Sequence, residues 1–317
     1  MLFARRRLVP TADWNGKGEL PMTGSRRTIG VIGAGRVGAV LAAALRTAGH
    51  TIAAVAGESD ASRTRIETLL PGVRIDKPTA VAKACDVVLL TVPDDSLDNV
   101  VRMLVASGAI HPGQHIVHTS GRHGLDVLAP AAEIGAHGIA MHPAMTFTGT
   151  DVDLGRLGGC AFGVTAIADN RELAQTLVDD LGGQVMWIDE DKRVLYHAAL
   201  AHGANHLVTL VAQAMDLLRD AGSTDPAATL APLLGAALDN TLAYGDAALT
   251  GPIVRGDVQT VQAHLETMAA SAPSTVETYV AMARATVNRA VVMGRLEPRR
   301  AADLIEVLDQ GLALVRR

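Results

Sequence analysis

Apolar and polar positions follow two different patterns along this chain. Short apolar runs recur up to about residue 190, with helical patterns between most of them. Alternation of this kind is typical of an α/β fold with a doubly wound sheet. We predict strands at Thr28–Ile32, Thr51–Ala56, Asp86–Val92, His115–His118, Gly138–Met141, Ala161–Val164 and Val185–Ile188.

After about Asp191 the strand pattern ends and long helical segments follow. Turns that contain glycine or proline separate these segments, for example at Gly251-Pro252 and Ala272-Pro273. We therefore predict a disordered extension at 1–26, a Rossmann dinucleotide-binding domain at 27–190, and an all-α C-terminal domain at 191–317.

A glycine motif follows the first predicted strand and opens a helical pattern. Its glycines are Gly33, Gly35 and Gly38, with the spacing G-x-G-x-x-G. In a dinucleotide-binding site the first glycine makes the tight turn and the second admits the pyrophosphate, while the third allows close packing of the helix on its strand. The start of the helix then offers unpaired N–H groups to the anion. A glycine turn without a ligand is the structural alternative.

Composition narrows the class of protein. The 317 residues carry a formal net charge of -5, which gives no electrostatic footprint for nucleic acid. No apolar run reaches the ~18 residues that a membrane-spanning helix needs, and the N-terminal arginines lack the apolar segment of a signal peptide. We predict a cytoplasmic protein that acts on a small molecule, with Cys85 and Cys160 as buried thiols.

Two features at the second predicted strand bear on the choice of cofactor. Glu58 lies about 20 residues after Gly38, where an acid binds the ribose hydroxyls of NAD. The following stretch contains serines and the guanidinium groups of Arg63 and Arg65, which suit the 2′-phosphate of NADP. We favour NADP, with NAD as the alternative, although both arginines are also compatible with a merely solvated helix. The predicted cofactor-binding residues are Gly33, Gly35, Arg36, Val37, Gly38, Ser59, Ser62, Arg63, Val92 and Pro93.

Polar groups stand where several apolar strands end. Pro93 is expected to hold its loop against the nucleotide. Thr119 and Ser120 are candidates to hydrogen-bond a substrate carboxylate or the nicotinamide amide, and His142 is a candidate proton donor. A simple turn residue remains the alternative for Ser120, and a structural hydrogen bond the alternative for His142.

The helical pattern after Arg193 has an unusual polar face. At 100° per residue, one arc contains histidines and uncharged polar side chains with a single acid, which favours a partly buried cleft wall over a solvated surface. We predict His202 as the general acid and Asn205 as a residue that orients the substrate. A polar packing seam or subunit contact is the alternative. The members of the arc are His202, Asn205, His206, Thr209, Gln213 and Asp216.

Three further predictions concern the same region. His206 and Thr209 would contact the substrate, and His197, on the apolar side, would be a core histidine. Arg255 would bind a substrate carboxylate, or simply pair with Asp257. His202 and His206 have metal-ligand spacing, but no HExxH motif or cysteine cluster accompanies them, so we predict no metal site.

Four sequence motifs together resemble one group of proteins. Beside the glycine motif they are His-Thr-Ser-Gly at 118–121, His-Pro-Ala-Met-Thr-Phe at 142–147, His-Gly-Ala-Asn-His at 202–206 and Thr-Gly-Pro-Ile-Val-Arg-Gly-Asp at 250–257. The chain resembles, over about residues 27–315, actinobacterial Rossmann-like oxidoreductases with a C-terminal domain of unknown function. These belong to the 6-phosphogluconate-dehydrogenase-like superfamily, with relatives such as pyrroline-5-carboxylate reductase and ketopantoate reductase. The resemblance implies NADP binding and a homodimer formed through the helical domain.

One departure from that superfamily affects the expected mechanism. Hydroxyacid dehydrogenases and ketopantoate reductase carry a catalytic lysine four residues before an asparagine, whereas Ala201 holds that place relative to Asn205. Either His202 replaces the lysine, or the substrate needs less help from an acid, as in imine reduction. We expect an NADP-dependent reductase of a small carboxylate-bearing keto or imino compound. The alternative is a non-catalytic NADP-binding sensor or regulatory protein.

Overall fold

A computed structural model of the protein describes residues 26–315. Apart from Arg26, the predicted extension 1–26 lies outside the described residues. The chain divides into two compact units, the first ending at Ala201 and the second beginning at His202.

The first unit is built on a seven-stranded sheet, and each strand coincides with one of the predicted apolar runs. The strands are β1 (Thr28–Ile32), β2 (Thr51–Ala56), β3 (Val87–Leu90), β4 (His115–His118), β5 (His137–Pro143), β6 (Ala161–Ala166) and β7 (Gln184–Trp187). Their order across the sheet is β2-β1-β3-β4-β5-β6-β7. All neighbouring strands are parallel except β5 and β6, which pair antiparallel. The predicted α/β class is confirmed.

Helices connect the strands and enclose two apolar cores. Val31 and Leu41 belong to one buried cluster, whereas Ile32 and Leu97 belong to the other. Successive residues of a strand point to opposite faces of the sheet, so Val31 and Ile32 enter different cores. The helices of this unit are α1 (Arg36–Thr47), α2 (Asp60–Leu69), α3 (Pro78–Lys83), α4 (Asp94–Ala106), α5 (Ala129–Glu133), α6 (Val152–Arg156), α7 (Arg171–Asp180) and α8 (Arg193–Leu200).

The connections of β1 create a crevice at one edge of the sheet. From β1 the chain passes to β2 on one side, and it then returns to β3 on the other side of β1. In open α/β sheets, ligands bind outside the carboxyl ends of the strands where the strand order reverses. The fold therefore directs attention to the loops that follow β1, β3 and β4.

The predicted continuous helix after Arg193 is interrupted. A π-helical turn at Ala201–Asn205 separates α8 from α9 (His206–Asp220). Since a π turn contains more residues than an α turn, it shifts the angular position of the side chains that follow. The predicted polar arc is therefore wrong for His202 and Asn205, which lie in the π turn and outside the α-helical repeat.

The second unit is helical throughout its described part. It continues with α10 (Pro226–Tyr244), α11 (Pro252–Arg255), α12 (Val258–Ser271), α13 (Pro273–Val292) and α14 (Pro298–Val315). Its core joins Leu265 of α12, Val280 of α13 and Leu304 of α14. Helix α10 is different, because Pro226 is its sole buried residue.

Candidate functional site

A large cleft of the first unit lies at the crevice that the topology creates. It has a volume of about 740 Å³. The ends of β1, β2, β3 and β4 all contribute residues to it, together with the start of α1. The lining residues include Gly33, Gly35, Arg36, Val37, Glu58, Ser59, Ser62, Thr91, Val92, Pro93, Asp94 and Thr119. Eight of the ten predicted cofactor residues line this cleft, whereas Gly38 and Arg63 do not.

The three glycines of the motif differ in backbone conformation and in the space around them. Gly33 has a φ of 94°, a backbone conformation that side chains other than glycine rarely adopt. A Cβ atom at Gly38 would overlap the hydroxyl of Thr91 and lie 2.8 Å from the carbonyl oxygen of Gly33. A Cβ atom at Gly35 would meet no described atom nearer than 3.8 Å. Gly33 and Gly38 are therefore required by the fold itself, whereas Gly35 leaves space in the cleft.

Helix α1 begins at this space without a capping side chain. Gly35 is its N-cap residue and makes no side-chain hydrogen bond to the first turn. The first N–H groups of a helix have no partner within the helix, and the helix dipole makes this end electropositive. The start of α1 is thus suited to an anionic group such as a pyrophosphate.

Beyond β2 the cleft is lined by an acid and two serines. Ser59 caps α2 by accepting a hydrogen bond from the N–H group of Ser62, and the two hydroxyls lie 3.0 Å apart. Glu58 lines the cleft beside them, but Arg63 does not. Arg36 lines the cleft from the start of α1.

The loop after β4 is held by a dense set of hydrogen bonds. The N–H group of Ser120 donates to Nδ1 of His118, and the hydroxyl of Ser120 accepts from the N–H group of His123. Nε2 of His118 lies 2.8 Å from the carbonyl oxygen of Gly124, so this ring nitrogen carries the proton. Burial lowers the pKa of His118 to about 4. Ser120 is buried and acts as a turn residue, which is the alternative that the sequence left open.

Arg193 fixes this loop to the rest of the first unit. Its side chain is only 1% exposed, and its guanidinium group donates to the carbonyl oxygens of Ser120, His123 and Gly163. Among the described residues it forms no ion pair with a carboxylate. Burial lowers its pKa, and the guanidinium group nevertheless stays charged. A buried positive charge is therefore hydrogen-bonded by backbone carbonyl groups at the start of α8.

Next to Arg193, three rings form a cluster that we call the His142 cluster, consisting of His142, Tyr196 and His197. Nδ1 of His142 lies 3.0 Å from the hydroxyl oxygen of Tyr196. The ring of His142 also stands edge-on to that of His197, with 5.8 Å between the ring centroids. Burial lowers the pKa of His142 to about 4, and the nearby charge of Arg193 acts in the same direction. His197 is half-buried against His142 and is not the fully enclosed core histidine that the sequence predicts.

The predicted residues of the second unit are exposed, not partly buried. His202 and His206 are neighbours, with 3.1 Å between their Nδ1 atoms. Asn205 and Thr209 are exposed on the same stretch of chain. The apolar side of this stretch is exposed as well, and Val208 is 71% exposed. The prediction of an apolar side facing a core is therefore wrong within the described chain.

Arg255 and the cysteines follow the simpler predictions. The Arg255 guanidinium group binds Asp257, with Nε 2.9 Å from a carboxylate oxygen. Cys85 and Cys160 are buried and unpaired, and burial raises the pKa of each thiol to about 11. Within residues 26–315, no group of three or more His, Cys, Asp or Glu side chains is arranged to hold a metal ion. Nor is any helix in this part of the chain long and apolar enough to cross a membrane.

Two family models match the sequence. A Rossmann-like domain matches residues 14–143, and a domain of unknown function, DUF2520, matches residues 160–286. The chain combines a Rossmann-like domain with a DUF2520 domain. The predicted pairing of a Rossmann domain with a C-terminal domain of unknown function is thereby confirmed. A search of curated protein sequences finds no match.

Solved structures share the fold at low sequence identity. A Bacteroides fragilis protein described as an NADP oxidoreductase is 21% identical, with a TM-score of 0.71, and the match covers 82% of this chain and 98% of that one. An imine reductase of Myxococcus stipitatus in complex with NADP⁺ is 16% identical, with a TM-score of 0.55, covering 90% and 94%. A pyrroline-5-carboxylate reductase of Coxiella burnetii is 15% identical, with a TM-score of 0.51, covering 92% and 99%. At these identities the similarity establishes the fold.

The DUF2520 match contains two side chains that the sequence analysis missed. Arg193 and Tyr196 both lie on α8, within the matched residues 160–286. Arginine is seldom buried, so nothing marked Arg193 as an internal residue. Tyr196 precedes His197 in a helical pattern, and its hydrogen bond to His142 joins residues 54 positions apart. Aromatic residues make up only 3% of the chain and include three tyrosines. This scarcity was the one sequence signal that could have drawn attention to Tyr196.

Proposed function

We propose that the protein is an NADP-dependent reductase that acts on a small keto or imino compound carrying a carboxylate. The cleft above β1, β3 and β4 carries this proposal. It combines an uncapped helix start, the open space at Gly35 and a volume of about 740 Å³. Bound NADPH would supply the hydride, and the protein would bind it, position the substrate and provide a proton.

The choice of NADP over NAD rests on the groups beyond β2. Ser59 and Ser62 line the cleft beyond β2 and Arg36 lines it at the start of α1, so hydroxyl and guanidinium donors are available to a 2′-phosphate. Glu58 stands beside them and would instead suit the ribose hydroxyls of NAD. The similar folds of proteins described with NADP support the first choice.

The substrate class is proposed from the resemblance and from the missing lysine. An imine needs less acid assistance than a ketone, so a pyrroline-carboxylate-like imine fits a site without that lysine, and a ketopantoate-like keto acid is the other form. His202 is the proton donor that the sequence favours, with Asn205 orienting the substrate and His206 and Thr209 in contact with it. The contacts of His142 make it a second candidate for the donor.

A calorimetric titration with NADPH and NADH tests the cofactor. We expect NADPH to bind at least about tenfold more tightly, which corresponds to ~1.4 kcal/mol. Tighter binding of NADH would instead identify Glu58 as a ribose ligand. Binding of neither nucleotide would refute the proposal, provided that the protein is folded by circular dichroism.

A panel of oxo acids and cyclic imines tests the reaction, with ketopantoate and pyrroline-5-carboxylate as the first probes. NADPH consumption with formation of the corresponding alcohol or amine supports the proposal. The sensor alternative is motivated by Ala201 at the position of the family lysine. It predicts tight NADPH binding with no turnover on the panel.

We also propose that two copies associate through the second unit. Helix α10 is almost entirely apolar and exposed, with Leu233 66% and Leu242 76% exposed. Large exposed apolar patches mark interaction surfaces, and a second copy would cover this one. Sedimentation of the wild-type protein should give the mass of a dimer, whereas Leu233→Glu combined with Leu242→Glu should give a monomer. A monomeric wild-type protein at micromolar concentration would overturn this proposal.

A further inference from the structure

We infer that His142 and Tyr196 form a two-proton relay to the substrate, with Arg193 positioned to stabilise the phenolate that the relay leaves behind. This inference rests on the proposed reductase function. The sequence indicates His142 as a lone candidate donor, and no sequence pattern points to Tyr196 or Arg193. The relay uses side chains of the first unit alone.

The first link of the relay is the contact between Tyr196 and His142. The hydroxyl oxygen of Tyr196 lies 3.0 Å from Nδ1 of His142 and 3.5 Å from the carbonyl oxygen of the same residue. The nearer acceptor is the ring nitrogen, at ordinary hydrogen-bond distance. Tyr196 reaches this position because Gly163 on β6 has no side chain, and a Cβ atom there would lie 2.6 Å from the hydroxyl oxygen.

The second link is the free nitrogen of the His142 ring. If Nδ1 accepts from Tyr196, then Nε2 carries the proton of the neutral imidazole. Nε2 has no hydrogen-bond partner among the described residues, and the atom is not fully buried. It faces Gly121, where a Cβ atom would lie 3.1 Å away. Gly121 has no side chain to cover Nε2, and it lies two residues beyond the cleft-lining Thr119.

A neutral His142 cannot donate this proton alone. Burial holds its pKa near 4, so the ring is neutral at pH 7. Loss of the Nε2 proton by itself would leave an imidazolate anion in a half-buried position, which is strongly unfavourable. If Nδ1 takes the hydroxyl proton of Tyr196 in the same step, then the ring ends neutral and the negative charge moves to the phenol oxygen.

Arg193 provides the positive charge for that phenolate. Its Cζ atom lies 5.6 Å from the centroid of the Tyr196 ring, and no carboxylate within the described chain forms an ion pair with it. Burial raises the pKa of Tyr196, whereas the charge of Arg193 lowers it. The other charged or titratable groups that act on His142 are His197, which disfavours its protonation, and Asp94, which favours it.

The proposed step transfers one hydride and two protons. Hydride adds to the carbon of the C=O or C=N bond, and the oxygen or nitrogen of that bond takes the proton of Nε2. Nδ1 takes the proton of the Tyr196 hydroxyl, and the alcohol or amine product leaves. A proton from solvent then restores Tyr196, and the ring of His142 returns to its first tautomer.

The tautomer of His142 tests the relay without any substrate. In the full-length protein labelled with ¹⁵N-histidine, we expect a neutral ring at pH 7 with the proton on Nε2, assigned by comparison with His142→Gln. In Tyr196→Phe, the ¹⁵N shift of Nδ1 should change because its hydrogen bond is lost. A proton on Nδ1, or an Nδ1 shift that is the same in Tyr196→Phe, would overturn the relay.

Kinetics supply the second test, with a matched control in the other unit. Tyr196→Phe should lower kcat by roughly 10- to 100-fold with little change in KM, within the usual range for acid–base catalysis. The solvent isotope effect should show two protons in flight for the wild type and one for the variant. Tyr279 also contacts a histidine, with its hydroxyl oxygen 3.0 Å from Nδ1 of His264, so Tyr279→Phe makes the same chemical change outside the relay.

The outcomes separate the relay from the reductase proposal. If wild-type protein reduces none of the probes, then the proposed function fails. If wild-type protein reduces pyrroline-5-carboxylate or ketopantoate and Tyr196→Phe has the same kcat and isotope effect, then only the relay fails. Equal losses in Tyr196→Phe and Tyr279→Phe would also overturn the relay, because a general effect on folding would explain them.

Discussion

Alanine at Gly38 and at Gly35 should affect two different properties of the protein. In Gly38→Ala, the new methyl group overlaps the hydroxyl of Thr91 and approaches the carbonyl oxygen of Gly33 to 2.8 Å. Relief of this overlap would also disturb the hydrogen bond from Thr91 to Gly33, which is 2.7 Å long. In Gly35→Ala, the new methyl group enters the cleft, 3.8 Å from the nearest described atom.

The expected loss of stability in Gly38→Ala follows from these contacts. Overpacking a tight core costs about 1 to 3 kcal/mol, and the lost hydrogen bond adds about 1 kcal/mol. A total of about 2 to 4 kcal/mol should lower the melting temperature of a unit of this size by roughly 4 to 16 °C. Gly35→Ala should cost about 0.5 to 1 kcal/mol, the difference between glycine and alanine at an N-cap position.

Differential scanning calorimetry and NADPH titration measure the two effects separately. Gly35→Ala should be destabilised much less than Gly38→Ala, and it should bind NADPH at least about tenfold more weakly, a loss of ~1.4 kcal/mol. The double variant Gly38→Ala/Thr91→Ala should be less destabilised than the sum of its single changes, because the hydroxyl in the overlap is gone. A Gly38→Ala protein as stable as wild type, or a Gly35→Ala protein that melts as early as Gly38→Ala, would refute the assignment of roles.

Three other predictions concern charge and burial. The folded state holds the pKa of His118 near 4, below the ordinary ~6.5, so the protein should lose roughly 3 kcal/mol of stability as the pH falls from about 6.5 to 4. In His118→Gln, the midpoint of urea unfolding should depend less on pH over this range. Arg193→Met leaves three carbonyl oxygens without their donor, so it should lower stability by about 3 kcal/mol or more, measured by urea unfolding, whereas an unchanged midpoint would contradict the buried contacts. Glu58→Gln removes an acid from the cleft and should weaken NADH binding more than NADPH binding in calorimetry, and an equal effect on both would argue against ribose contact.

The strands of the first unit could be predicted from sequence because most of them are covered on both faces. Val87–Leu90, for example, is an unbroken apolar run with every residue buried. The direction of a strand leaves no such mark, and the antiparallel pairing of β5 with β6 therefore had no signal. The glycine motif was predictable for a related reason, since Gly33 and Gly38 meet requirements of backbone conformation and close packing that recur in every such turn.

The candidate site was predictable only in part. The strand ends pointed to Ser120 and His142, because parallel strands bring their carboxyl ends to one edge of a sheet. Arg193 could not be predicted, since its three acceptors lie 70, 30 and 73 residues away in the sequence. The arc that included His202 assumed a constant 100° per residue, and the π turn breaks that assumption.

The π turn at Ala201–Asn205 also marks a point where the chain can gain or lose one residue without disrupting either flanking helix. Removal of a single residue there would leave an unbroken α-helix, and the phase of every later side chain would change by about 100°. If one residue of the turn were removed, Leu200 instead of Ala201 would stand four residues before Asn205, at the position of the family lysine. Neither side chain carries an amine. Single-residue insertions and deletions at this turn are thus a route by which homologous proteins can present different side chains from α9 while both folds are retained.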